Sequence, residues 1–157
     1  MINNQKILFK FIQINKNIDW YIVSSQYTLS ENFIQEFQDK LNWSSISYYQ
    51  YLSENFIKKF KNKVCWDYIS AYQNLSEDFI KEFQDEVDWY FISKYKKLSE
   101  DFIIEFKDKI YWGCISEYQT LSEKFIREFQ DKVNWHIILE YQDLSEKFKE
   151  EIKHKLK

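Results

Sequence analysis

Apolar residues recur in a fixed order along the chain, separated by runs of Lys, Glu, Gln and Asp. In the stretch 75–97, Phe79, Ile80, Phe83 and Val87 stand at i, i+1, i+4 and i+8, which predicts one buried stripe on an amphipathic helix. A second stripe follows as tryptophan, isoleucine three residues on and tyrosine three further, as in Trp66, Ile69 and Tyr72. Each stripe has its own start signal. Ser30, Ser53, Ser76, Ser99, Ser122 and Ser145 are placed as N-caps, each followed by a glutamate that meets the positive end of the helix dipole. The leucine before each serine can staple against the isoleucine five residues on, as Leu29 with Ile34 or Leu98 with Ile103. Asp19, Asn42, Asp88 and Asn134 stand just before a tryptophan and predict caps for a shorter second helix, such as 89–97. Cys65 and Tyr111 in the same place predict weak caps. Glu36 with Lys40, Glu105 with Lys109 and Glu128 with Lys132 are spaced as i, i+4 ion pairs on a solvated face, each contributing roughly a few tenths of a kcal/mol.

The two stripes belong to one repeating unit. Trp20, Trp43, Trp66, Trp89, Trp112 and Trp135 are each separated by 23 residues, the mark of tandem duplication. Full copies begin at Leu29, Leu52, Leu75, Leu98 and Leu121. Without linkers, the expected organisation is a single repeat domain over 1–157: a diverged N-terminal cap at 1–28, five full repeats over 29–143 and a partial C-terminal cap at 144–157. One helix pair cannot cover its own apolar stripes, so copies must stack. The expected fold is an all-α α-solenoid of two-helix repeats, a rod roughly 60 Å long at ordinary helix spacing. In the C-terminal copy Lys149 replaces isoleucine, and Glu150, Glu151, Lys153 and Lys155 make the exterior polar. Ile7, Phe11, Ile14 and Ile18 give the first segment a helical stripe of its own. One glycine, Gly113, and no proline leave little turn chemistry for a sheet.

The phrase Leu-Ser-Glu-x-Phe-Ile-x-Glu-Phe-x-Asp-Lys-x-x-Trp-x-x-Ile-Ser-x-Tyr-Gln, at 98–119 and nearly so in the other copies, resembles a tandem helical repeat of uncharacterised proteins from giant DNA viruses, phages and low-GC bacteria. The similarity covers about 29–157. It implies a helical array in a viral or mobile-element setting, and it carries no assigned chemistry and no functional residues.

Composition narrows the function classes. One residue in five is aromatic, enough for a packed interior beside 30% charged residues. Net charge is −3 and Arg127 is the sole arginine, so no basic footprint for a phosphate backbone exists and direct nucleic-acid binding is not expected. No long apolar window and no N-terminal secretory pattern is present, so a monomer in the cytoplasm, away from membranes, is expected. Cys65 and Cys114 sit at different repeat positions and read as packing residues rather than a disulfide. Phosphate-loop, His-Glu-x-x-His and Cys-x-x-Cys patterns are absent. His136 and Glu140, with Glu117 and Cys114 nearby in the repeat, could at most form a weak metal site. The expectation is a protein without cofactor, metal or catalytic residues.

Copies within one chain differ where stacking does not dictate the residue. Counting each leucine as position 1, positions 16, 20 and 23 vary most: Ser44, Tyr48, Tyr51; Asp67, Ala71, Asn74; Tyr90, Lys94, Lys97; Gly113, Glu117, Thr120; His136, Glu140, Asp143. Their i, i+4, i+7 spacing makes one face of the second helix. Position 17 adds Tyr68 and Phe91, and exposed aromatic residues are favoured as interface anchors over the Lys, Glu and Gln of a drifting surface. The expected partner-binding residues are therefore Tyr48, Tyr51, Asp67, Tyr68, Tyr90, Phe91, Lys94, Glu117, His136 and Glu140. The function expected is recognition of a partner protein without catalysis. An alternative in a viral setting is an inhibitor of a host defence effector, resembling anti-CRISPR nuclease inhibitors in role. The glutamate row at 31, 54, 77, 100, 123 and 146 could suggest a nucleic-acid mimic, but helix starts already explain it. A self-assembling structural array ranks lower.

Overall fold

A computed structural model describes residues 8–10, 12, 14, 15 and 17–153. Among these the chain forms twelve short helices from Trp20 onward and no strand. The tryptophan-led helices are α1 (Trp20–Gln26), α3 (Trp43–Tyr49), α5 (Trp66–Tyr72), α7 (Trp89–Tyr95), α9 (Trp112–Tyr118) and α11 (Trp135–Tyr141). The glutamate-led helices are α2 (Glu31–Glu36), α4 (Glu54–Lys59), α6 (Glu77–Glu82), α8 (Glu100–Glu105), α10 (Glu123–Glu128) and α12 (Glu146–Ile152). The chain divides into two compact units, Met1–Gln73 and Asn74–Lys157. In the first, α1 packs on α3 and α3 on α5; in the second, α7 packs on α9 and α9 on α11. Each unit is an α-solenoid of helix pairs repeating every 23 residues.

The start signals act as the residues predict. The serine hydroxyls accept the N–H three residues on, at 3.1–3.3 Å, from Phe33 through Phe148. Asp19, Asn42, Asp88 and Asn134 cap the tryptophan-led helices, whereas Cys65 and Tyr111 make no side-chain cap bond. The cores of the pairs are the fully buried isoleucines Ile34, Ile46, Ile57 and Ile69 in the first unit and Ile80, Ile92, Ile103, Ile115, Ile126 and Ile138 in the second.

Three expectations change. The glutamate-led helices end sooner than the apolar spacing implies. In the third copy α6 stops at Glu82, Phe83 leaves helical geometry as the C-cap, and its carbonyl accepts from Glu86 (2.9 Å) and Val87 (3.1 Å) in a separate turn. This break brings the second phenylalanine of the stripe against the tryptophan of the preceding copy, with ring centroids 5.0–5.3 Å apart for Trp20–Phe37, Trp43–Phe60, Trp89–Phe106 and Trp112–Phe129. The lysine past the break then points to a neighbouring copy rather than back along its own helix. Lys109 bonds Asp85 and Gln84 Oε1, both at 3.0 Å, and Lys63 bonds Asp39 at 2.7 Å and Gln38 at 3.0 Å. Glu105, expected to pair with Lys109, is bridged by Lys81 instead.

The third change concerns the N-terminal stripe. Ile14 is 80% exposed and Ile18 half-buried, while Leu8 is buried and the Phe9 ring lies edge-on to Phe33 at 5.1 Å. The first segment therefore docks through residues 8 and 9. Ile7 and Phe11 of the expected stripe, and Lys155 of the C-terminal copy, lie outside the described residues. At that C-terminal end Phe148 and Ile152 are buried and the polar exterior carries the pairs Lys149–Glu146 and Lys153–Glu150.

Candidate functional site

Most polar residues that recur from copy to copy are engaged in holding copies together. The glutamine at position 22 is the clearest. Gln119 is buried, its Oε1 accepts the Leu98 N–H at 2.9 Å, and its Nε2 donates to the carbonyls of Ser93 (3.1 Å) and Lys96 (2.8 Å). Gln50, Gln73 and Gln142 make the same three bonds. The serine at position 19 closes a second ladder. Ser24, Ser47, Ser93 and Ser116 donate to the carbonyl four residues back and accept the N–H of the cap residue 18 positions ahead. The row of glutamates forms a third, since Glu31, Glu77, Glu100 and Glu123 accept the backbone N–H of the next copy's serine, at 2.5–2.8 Å. The indole N–H groups of Trp43, Trp66, Trp89, Trp112 and Trp135 also donate to the carbonyl five residues back. Among the described residues no buried side-chain nitrogen or oxygen lacks a partner.

The variable positions are those left over. In the first unit Tyr48, Tyr51, Asp67 and Tyr68 are exposed, Tyr51 at 93%, whereas Ser45 and Ala71 at the same repeat positions are buried. Tyr48 is central to an aromatic cluster. Its ring lies 4.3 Å from Tyr72, 4.4 Å from Tyr49 and 5.3 Å edge-on from Tyr68. Beside it an uncharged cleft of about 420 Å³ is lined by Tyr21, Asn42, Ser44, Tyr48, Tyr49 and Tyr68. In the second unit Tyr90, His136 and Glu140 are exposed, and Phe91, Lys94 and Glu117 are half-buried. Tyr90 lies edge-on to Tyr111 at 5.5 Å, and the Lys94 ammonium stands over three rings, Tyr90, Tyr95 and Tyr118, at 5.3–5.7 Å.

The structure adds a further set of surface residues. The tyrosine at position 21 is shared by all five full copies, and the i, i+3, i+6 pattern predicts it on the buried stripe with tryptophan and isoleucine. Tyr49 and Tyr72 in one unit and Tyr95, Tyr118 and Tyr141 in the other are instead 46–54% exposed. The reason is the helical period: three residues fall short of a full turn by about 60°, so two such steps carry the tyrosine about 120° from the tryptophan. Isoleucine, serine and glutamine at positions 18, 19 and 22 take the inner face. Counting to i+6 rather than i+7 was the available signal.

Charge on this surface is uneven. The phenols of Tyr118, then Tyr90 and Tyr95, hold the Lys94 ammonium above the usual lysine value. A hydrogen bond to the Glu117 carboxylate, with burial and that carboxylate's charge, raises the Tyr118 phenol, and the Glu140 charge does the same for Tyr141. Lys96 occupies the place of the ladder glutamine in its copy, and burial lowers its ammonium to about 8. Burial raises the Cys114 thiol, and both cysteines are free and half-buried. Among the described residues no group of three His, Cys, Asp or Glu side chains is placed to hold a metal ion, and no helix is long and apolar enough to cross a membrane. No protein-family model matches the chain, and no curated protein sequence or solved structure matches it.

Proposed function

We propose that the chain is a recognition module that binds a partner protein through its exposed tyrosine-bearing helix face and performs no catalysis. The observation that supports this most is the division of labour among residues. Shared glutamines, serines and glutamates are engaged in joining copies, while Tyr48, Tyr49, Tyr68, Tyr72 and Tyr90 remain at the surface, where large rings cost hydration without stabilising the core. Asp67 in the first unit, and Lys94, Glu117, His136 and Glu140 in the second, vary the charge on the equivalent helix faces and would supply specificity, as would Tyr51 and Phe91. The resemblance to repeats of giant viruses and phages gives the setting proposed: a monomer in the cytoplasm of an infected cell, with a host defence protein as partner and occupation of its working surface as the mode of action.

The test uses purified wild type beside a Tyr48→Ala/Tyr90→Ala variant as bait in lysate of the natural host, followed by identification of retained proteins. A partner held by wild type and lost by the variant, with helical circular dichroism unchanged, is the expected result. Equal retention by both would remove this face from the proposal.

A further inference from the structure

One copy departs from the others in a concerted way. At positions 20, 22 and 23 it carries Lys94, Lys96 and Lys97, where the remaining full copies carry no lysine at all. Cations near a helix C-terminus are favourable to its dipole, but α7 has only seven residues and the equivalent helices end without them. The change at 96 is costly to the fold. Glutamine there supplies both an acceptor and donors to the ladder, and a lysine ammonium has donors only. Lys94, Lys96 and Lys97 all line a cleft of about 350 Å³ at the ends of α7 and α9, together with Tyr95, Tyr118 and Thr120, and the Lys94 ammonium stands over the two tyrosine rings. No carboxylate lines it; Glu117, nearby on α9, is engaged by the Tyr118 hydroxyl.

We propose that this cleft binds a phosphate monoester dianion, held by Lys94, Lys97 and the Thr120 hydroxyl, with the two tyrosine rings against the organic part of the ester. Two lysines at one opening, Lys94 and Lys97, match a group carrying about two negative charges near neutral pH better than a single carboxylate. The volume exceeds what an inorganic phosphate fills, and the aromatic walls favour an aryl or similarly flat ester. The site stands on its own geometry. Only the assignment of the ester to a phosphorylated segment of a protein partner rests on the recognition function proposed above.

The test is a titration of the isotope-labelled full chain with phenyl phosphate, inorganic phosphate and benzoate at matched ionic strength, followed by backbone amide shifts. Phenyl phosphate is expected to give saturable shifts confined to residues 94–98 and 118–120, with at least about tenfold higher affinity than benzoate, and Lys94→Gln with Lys97→Gln to weaken it by about the same factor. Equal binding of benzoate, shifts spread over all lysines, or indifference to the double substitution would overturn the site. A phosphotyrosine peptide binding more tightly than phenyl phosphate identifies a phosphorylated segment as the source; equal affinity identifies a small phosphomonoester. Phenyl phosphate binding retained in Tyr48→Ala/Tyr68→Ala, whose rings lie outside this cleft, when that variant still captures the same proteins, would leave this site intact while removing the recognition face.

Discussion

Gln119 offers the sharpest perturbation of the joints between copies. Gln119→Ala removes the acceptor of the Leu98 N–H and the donors to the Ser93 and Lys96 carbonyls, all within 3.1 Å in the native state. Leaving one buried N–H unpaired costs roughly 1–3 kcal/mol, and each under-satisfied carbonyl adds less, so a loss of about 3 kcal/mol is expected. Gln119→Glu keeps the shape but turns a carboxylate toward two carbonyls, so its folded pKa lies above the ordinary value. The folded form then binds more protons than the unfolded one. Its stability falls as pH rises above about 4 and approaches that of wild type only below that range. The assay is urea unfolding combined with amide exchange, because repeat arrays open locally and a single global midpoint can hide the damage. Protection should fall first at Leu98 and across the joint between α7 and α9. A cost under about 1 kcal/mol for Gln119→Ala, with Leu98 as protected as before, would refute the ladder as a source of stability.

Three other substitutions probe separate links. Phe83→Ala removes a buried ring that lies 4.7 Å from Phe79 and should lower stability by roughly 3–5 kcal/mol in chemical unfolding; a loss below about 1 would displace Phe83 from the core. Gly113→Ala adds a methyl group that meets open space in the first turn of α9, so stability should rise by about 0.5–1 kcal/mol, read as higher thermal and urea midpoints, and a fall would contradict the open environment. Lys96 has a lowered folded pKa, so between about 8 and its unfolded value the unfolded chain binds more protons and stability rises with pH. Lys96→Gln should be more stable than wild type near pH 7 and should lack that rise, whereas parallel pH profiles for the two proteins would exclude Lys96 as its source.

The fold was legible because its signals are local and repeated. Serine before glutamate and Asp or Asn before tryptophan state helix starts in the immediate sequence, and the 23-residue period turns one copy's pattern into five concordant observations. What was not legible acts across copies. The partners of Gln119, Ser93 and Glu77 lie 18–26 residues away, so their hydrogen bonds follow only from the stacking geometry. The glutamate row looked like a dipole device and proves also to hold the next helix start. The lysines after the helix ends looked like i, i+4 partners, but the chain has already left the helix there. On the candidate face Tyr48, Tyr51, Asp67, Tyr68, Tyr90, His136 and Glu140 are exposed, whereas Phe91, Lys94 and Glu117 are half-buried and the small residues Ser45 and Ala71 are covered. The shared tyrosines read as the end of the tryptophan–isoleucine stripe and so as core, whereas the drift of i+6 places them at the surface.

The most direct measurement of this division between joining and surface residues is a scan of every position in the copy at 98–120, read by protease resistance of the chain in the absence of any partner. Leu98, Phe102, Ile103, Ile115, Ser116 and Gln119 should tolerate almost nothing, while Gly113, Glu117, Thr120 and, against its repetition in all five copies, Tyr118 should accept polar replacements with folding intact. Collapse of resistance on Tyr118→Ser, together with tolerance at Gln119, would mean that the shared tyrosines hold the array together and that the surface assigned to recognition is part of its scaffold.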